Sequence, residues 1–132
     1  MLKKLERGII STCPSLYKGI HLPPEKCYMH KGFECGNGWH EILQETSNEL
    51  EIFLKTLPKK ERRSNYAMHV ISKNGCLRIY MSLINETIEK ILSKLVSKSL
   101  IVCEVCGEEG FRKHNRTRCT QHHSFHNARQ SK

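Results

Sequence analysis

The feature that most constrains this chain is the pair Cys103-Glu-Val-Cys106, with Gly107 next, followed twelve residues after Cys106 by Cys119-Thr-Gln-His122. Two residues between paired thiols let both sulfurs turn to one centre, and the glycine permits the tight knuckle that this requires. The second pair repeats the spacing. Four soft donors in two close pairs build a closed tetrahedral centre of the kind Zn²⁺ prefers, with no open position for substrate. The pattern implies one structural zinc ion held by Cys103, Cys106, Cys119 and a histidine. His122 repeats the spacing of the first pair, while His123 and His126 are the alternatives. His114 lies among Lys113, Asn115 and Arg116 and reads as solvated.

Around these ligands the apolar residues are few, chiefly Val102, Val105 and Phe111. A segment so poor in core must draw its folding energy from the metal, of order 10 kcal/mol in small zinc peptides. The rest of the chain can carry its own core. At 132 residues it falls in the size range of one domain. A chain of this length buries roughly 68% of its unfolded surface. The division expected is an α+β core over 1–100, a zinc-binding module over 101–123 and a basic tail over 124–132.

Hydrophobic periodicity outlines the core. Leu2, Leu5, Ile9 and Ile10 predict a short amphipathic helix over 2–10. Prolines 14, 23 and 24 and glycines 32, 36 and 38 make 11–38 irregular. Trp39, Ile42, Leu43, Leu50, Phe53, Leu54 and Leu57 trace one face of a long helix that Pro58 stops. Lys59-Lys60-Glu61-Arg62-Arg63 then reads as a basic loop. Tyr66–Ser72 and Cys76–Met81 flank Asn74-Gly75, a hairpin signal. Asn85 is a good N-cap for a second helix whose inner face holds Ile88, Leu92, Leu95, Val96 and Ser99. The expected class is α+β: two main helices on a small antiparallel hairpin, with a C-terminal zinc-ribbon or treble-clef-like module.

The chain carries 22 Lys and Arg against 13 Asp and Glu, a formal net charge of +9. That balance favours anionic partners, with solubility as the plainer explanation. From Arg112 to the C-terminus there are six Lys or Arg and no acid. Arg112, Lys113, Arg116 and Arg118 lie between the two ligand pairs, and Lys59, Lys60, Arg62 and Arg63 form the other basic cluster. These eight are the candidate contacts to DNA or RNA phosphates. No stretch is apolar enough to span a membrane, and the start lacks the apolar centre of a signal peptide. A cytoplasmic protein is expected, in which seven cysteines serve as ligands and free thiols rather than disulfides.

Cys27 and Cys35, with His30 between them and Cys13 and His40 nearby, form either a second metal site of unusual spacing or a set of buried thiols packing as small apolar groups. Cys76 reads as core. Signs of catalysis are sparse. Twelve residues between the ligand pairs cannot hold the insertion of a His-Asn-His nuclease, and no acid stands beside the late histidines to orient one or hold Mg²⁺. A Cys35–His40 nucleophile pair is conceivable and has nothing else behind it. A non-enzymatic protein is expected.

Several stretches together resemble a family of small bacteriophage- and prophage-encoded proteins with no assigned activity. They are Pro14-Ser-Leu-Tyr17, Cys27-Tyr-Met29, Gly32-Phe-Glu-Cys-Gly-Asn-Gly-Trp39, Gly75-Cys-Leu-Arg-Ile-Tyr80 and Ser99-Leu-Ile-Val-Cys-Glu-Val-Cys-Gly107, closing on Cys119 and His122. The chain departs from that family at the hairpin turn, at His114-Asn-Arg-Thr117 and at Val96, and keeps the ligand residues. The resemblance implies a viral origin and a shared fold. It leaves two partners open: nucleic acid, or a host protein such as a defence or transcription component.

Overall fold

The computed structural model describes residues 1–124. The long helix and the hairpin form where the periodicity puts them. Helix α1 spans Lys3–Thr12, α2 His40–Thr56, α3 Lys59–Ser64 and α4 Glu86–Ser99. Strands β2 (Ala67–Lys73) and β3 (Cys76–Met81) pair antiparallel around Asn74 (φ 53°) and Gly75 (φ 82°). Two successive positive-φ residues make the primed turn that matches the twist of paired strands. Asn85 caps α4 by accepting a hydrogen bond from the Ile88 N–H at 2.9 Å.

The sheet has a third strand that the hydrophobic pattern does not reveal. Phe33–Glu34 forms β1, which pairs parallel with β2, Phe33 opposite Val70, giving the order β1-β2-β3. Two residues are too few to show alternation. Buried carboxylates hold this irregular region in place instead. Glu6 on α1 accepts from the Phe33 N–H at 2.9 Å, and Glu51 on α2 accepts from the Leu16 and Ser15 N–H groups at 2.8 and 3.2 Å. Each satisfies backbone donors that the loop cannot pair internally. The buried Tyr17 hydroxyl meets Ser47 Oγ at 2.6 Å, and its ring lies 5.2 Å from that of Phe33.

Residues 59–64 are helix α3, not a loop. Pro58 precedes a run of good helix formers, and a fixed proline φ suits a helix start. Arg62 turns back so that Nη2 donates to the Lys55 and Leu57 carbonyls at the end of α2. The core gathers Leu16, Tyr17, Met29, Phe33, Trp39, Leu43, Leu50, Leu54, Val70, Leu77, Ile88 and Leu95, all fully or nearly fully buried. Beyond α4 come β4 (Phe111–Lys113) and β5 (Arg116–Arg118), an antiparallel pair, then a helical turn over 120–124. Among the described residues no helix is long and apolar enough to cross a membrane.

Candidate metal centre

Cys103, Cys106, Cys119 and His122 converge at the base of the β4–β5 hairpin, with one donor atom from each lying within 4.8 Å of every other. They come from three local devices. Cys103 and Cys106 sit on a turn closed by the Gly107 N–H donating to the Cys103 carbonyl at 2.9 Å, with Gly107 at φ 82°. Cys119 follows β5, and the helical turn after it brings round His122. Cys106 Sγ is 3.8 Å from Cys119 Sγ, and His122 Nδ1 is 3.1 and 3.4 Å from Cys119 Sγ and Cys103 Sγ. A tetrahedron with metal–sulfur bonds of about 2.3 Å has sulfur–sulfur edges of about 3.8 Å and slightly shorter sulfur–nitrogen edges. The donor set therefore fits a metal ion.

The electrostatics of the knuckle act oppositely on its two thiols. Burial pushes the Cys103 thiol up, but the backbone N–H groups of Cys106, Cys119 and Val105 outweigh it and bring it down to about 6. At Cys106 the Glu108 N–H lowers the thiol, and burial with the adjoining Cys103 and Cys119 sulfurs overrides it, raising it to about 11. Cys103, surrounded by amide donors, stands beside Cys106, which resists ionising, and a divalent cation would relieve that, since metal ligation requires the thiolate form.

The histidine ambiguity resolves by position. His123 Nε2–H donates to the Phe111 carbonyl at 2.8 Å, and its ring stacks on that of Phe111 at 4.6 Å. It pins the helical turn to β4 and is 5% exposed. His126 lies outside the described residues. His114 is exposed at φ 53° in the β4–β5 turn.

Hydrogen bonds that involve backbone groups join the module to the body, and Val102 packs against the core beside them. The Gly38 N–H donates to the Glu104 carbonyl at 2.8 Å, the Gly36 N–H donates to the Glu104 carboxylate at 3.1 Å, and Trp39 Nε1 donates to the Val102 carbonyl at 2.8 Å. On the far side, Thr117 Oγ1 donates to the Gly75 carbonyl at 2.6 Å. Glycines 36, 38 and 75 are thus the sockets of the module. In the sequence they read only as marks of irregularity and of a turn. The one signal that could have found Gly36 and Gly38 is their spacing before Trp39.

The other cysteines do not assemble. Cys13, Cys27, Cys35 and Cys76 are buried apart from the knuckle, with Cys27 Sγ near the Ala67 and Met68 carbonyls and Cys13 Sγ near Asn48. Among the described residues, the Cys103–His122 group is the one cluster able to hold a metal. Of the basic candidates, Lys59, Lys60, Arg63, Arg112, Lys113 and Arg116 are exposed. Arg62 is half-buried and engaged with α2, and Arg118 is half-buried with Nε shielded from solvent. The Arg62 guanidinium is thus engaged by the end of α2. No protein-family model, curated protein or solved structure matches the chain.

Proposed function

We propose that the chain is a non-enzymatic nucleic-acid-binding protein in which one structural zinc ion holds a basic hairpin against the α+β body. The order knuckle, hairpin, helical turn, with the last two ligands at the start of the turn, is that of a treble-clef module. Three thiols and an imidazole at tetrahedral spacing suit zinc better than harder cations. Zinc would supply folding energy here and no chemistry on a substrate, because all four positions are filled by protein.

The observation that carries the nucleic-acid reading is the pairing of Lys113 with Arg116. They stand directly opposite each other across β4 and β5, flanking His114-Asn115. Like charges opposed on one face of a ladder destabilise it. No ion pair among the described residues involves Arg112, Lys113 or Arg116. A bridging phosphate would turn this repulsion into two charge-assisted contacts. Lys59, Lys60 and Arg63 on α3 add a second exposed cluster. Contacts of this kind position a backbone and read little sequence. The resemblance to phage proteins is consistent with work in the cytoplasm of a host cell. Filter binding on duplex and single-stranded probes tests the reading. Saturable, salt-sensitive binding is expected, and its absence passes the proposal to a host-protein partner.

A further inference from the structure

The outer face of the three-stranded sheet carries aromatic rings in a row. His69 stands opposite Tyr80 and Ile71 opposite Arg78 across β2 and β3, while the neighbouring pair, Val70 and Ile79, belongs to the core. Alternation along each strand therefore turns His69, Ile71, Arg78 and Tyr80 outward together. Glu34 on β1 joins them, opposite Ile71. The His69 ring lies 5.1 Å from that of Tyr28, just before β1, and 6.3 Å from that of Tyr80, tilted by 35° to each. His69 Nε2–H donates to Glu34 Oε1 at 2.6 Å, which fixes the middle ring. Tyr28 is 51% exposed and Tyr80 41%. Singly exposed rings are common. Two tyrosines arrayed about an imidazole that a carboxylate holds form one surface.

Cations border the rings. Lys31 and Lys73 are exposed, and Arg78 is half-buried. Among the described residues none of the three makes an ion pair, whereas Glu34 is already engaged by His69. Lys31 Nζ lies 5.3 Å from the centre of the Tyr28 ring. Such a contact is weak at an exposed site, so a flat group can take the ring face and leave the ammonium beside it. The rings and the basic hairpin also share one ladder. Tyr80 is four residues from Cys76 along β3, a span of about 13 Å. At the Cys76 end the turn meets the hairpin: a Cβ on Gly75 would come within 3.3 Å of both Arg112 Cγ and the Arg116 nitrogen.

We propose that this sheet face is a stacking platform for the unpaired bases of a single-stranded nucleic acid, whose backbone runs past Arg78 and Lys73 toward Arg112 and Arg116. The proposal rests on the nucleic-acid reading above and adds the class of strand that the protein prefers. Aromatic faces accept many flat or apolar groups, and the charges choose among them. A proline-rich peptide or a neutral sugar brings nothing to three unpaired cations, whereas each nucleotide brings a base and a phosphate side by side. Duplex is disfavoured at this face because its bases already stack on one another. Only unpaired bases can lay a free face on a tyrosine.

The test uses the full chain prepared with zinc and fluorescent single strands of about eight thymidines or uridines, with an abasic strand of equal length and a duplex as controls. The abasic strand, which keeps the phosphates and lacks the bases, should bind about tenfold more weakly. Tyr28→Ala and Tyr80→Ala should each weaken single-strand binding by about tenfold. Tyr28→Phe and Tyr80→Phe should retain it, because stacking needs the ring and not the hydroxyl. All four variants should leave duplex binding, zinc content and the far-UV spectrum unchanged. The thymidine and uridine arms show whether DNA or RNA is the preferred source. Ultraviolet cross-linking of the unsubstituted chain, read by mass spectrometry, should mark Tyr28 or Tyr80, which keeps the proposal testable if an alanine variant unfolds. The proposal is overturned if the abasic strand binds as tightly as the others, if both alanine variants bind like the parent, or if cross-links are confined to the hairpin. Intact duplex binding in those cases leaves the basic-hairpin reading standing, and no binding to any probe removes both. Displacement of the strand by a proline-rich peptide of similar affinity would overturn the choice of occupant.

Discussion

Gly38 lies against Cys103 so closely that a Cβ on the glycine would sit 2.1 Å from the cysteine's carbonyl oxygen and 2.6 Å from the Gly107 nitrogen. The Cys103–Gly107 knuckle is therefore seated directly on the backbone that leads into α2, with no side chain between them. Gly38→Ala must push the knuckle out of its seat, because both obstructing atoms are backbone. A loss of about 3 kcal/mol in urea unfolding is expected. Gly8 is the control: it lies inside α1, and a Cβ there would meet nothing within 4 Å, so Gly8→Ala should stabilise by about 0.5–1 kcal/mol. Equal effects from the two would show that the contact at Gly38 carries no weight.

Trp39 couples the same junction to the core. It is fully buried, and its indole N–H reaches the Val102 carbonyl just before the first ligand. Trp39→Ala should cost about 3–5 kcal/mol. Trp39→Phe keeps most of the apolar burial and removes the hydrogen bond, for about 1–3 kcal/mol. Differential scanning calorimetry separates the two, and a melting point for Trp39→Ala within a degree or two of the parent would mean the ring is not structural.

Metal content should follow His122 and ignore His123. Elemental analysis of freshly purified, reduced protein should give about one zinc per chain. Cys103→Ser, Cys119→Ser and His122→Ala should each lower it. His123→Ala should keep the zinc and loosen the hairpin, because its ring packs on Phe111 and its Nε2 holds that residue's carbonyl. Zinc lost in His123→Ala and kept in His122→Ala would reverse the assignment.

Thiol chemistry gives a separate readout. Burial raises the thiols of Cys13 and Cys35, the latter to about 12, although the chain's amino terminus pulls Cys35 back somewhat. Thiolates are the reactive form, so neither should alkylate in the folded protein near neutral pH. Cys27 and Cys76 are also buried. Mass spectrometry after chelation should find iodoacetamide on Cys103, Cys106 and Cys119 before any other cysteine, and on those three far more slowly while metal is bound. Rapid labelling of Cys35 in the native state would contradict its burial.

The ligands are legible in the sequence because their geometry is local: two residues of separation fix where paired donors point, whatever surrounds them. The hairpin and α4 are legible for the same reason, through Asn74-Gly75 and Asn85. Strand β1 is not, since its place depends on Glu6, 27 residues away from the Phe33 amide it holds. Glu51 likewise reads as one more helix-surface acid until Ser15 and Leu16 arrive against it. The basic residues show the same divide. Eight cations look alike in the sequence, and only packing reveals that Arg62 caps α2 and Arg118 is half-buried.

The Lys113–Arg116 pair yields a prediction with two opposite signs. Lys113→Gln should stabilise the unliganded protein by a few tenths of a kcal/mol, since it removes a like-charge cross-strand pair. The same change should weaken nucleic-acid binding, and a residue that merely solubilises the hairpin would do only the first. If four of the six exposed cations engage duplex DNA, log affinity should fall with log salt at a slope of about −3.6. Replacing both Lys113 and Arg116 with Gln should bring the slope to about −1.8 with zinc content unchanged. Arg62→Gln should instead act on stability, by freeing the Lys55 and Leu57 carbonyls at the end of α2, and leave the slope where it was. No saturable binding below ~100 μM at moderate salt, the weak end of nonspecific affinities, would remove nucleic acid as the partner.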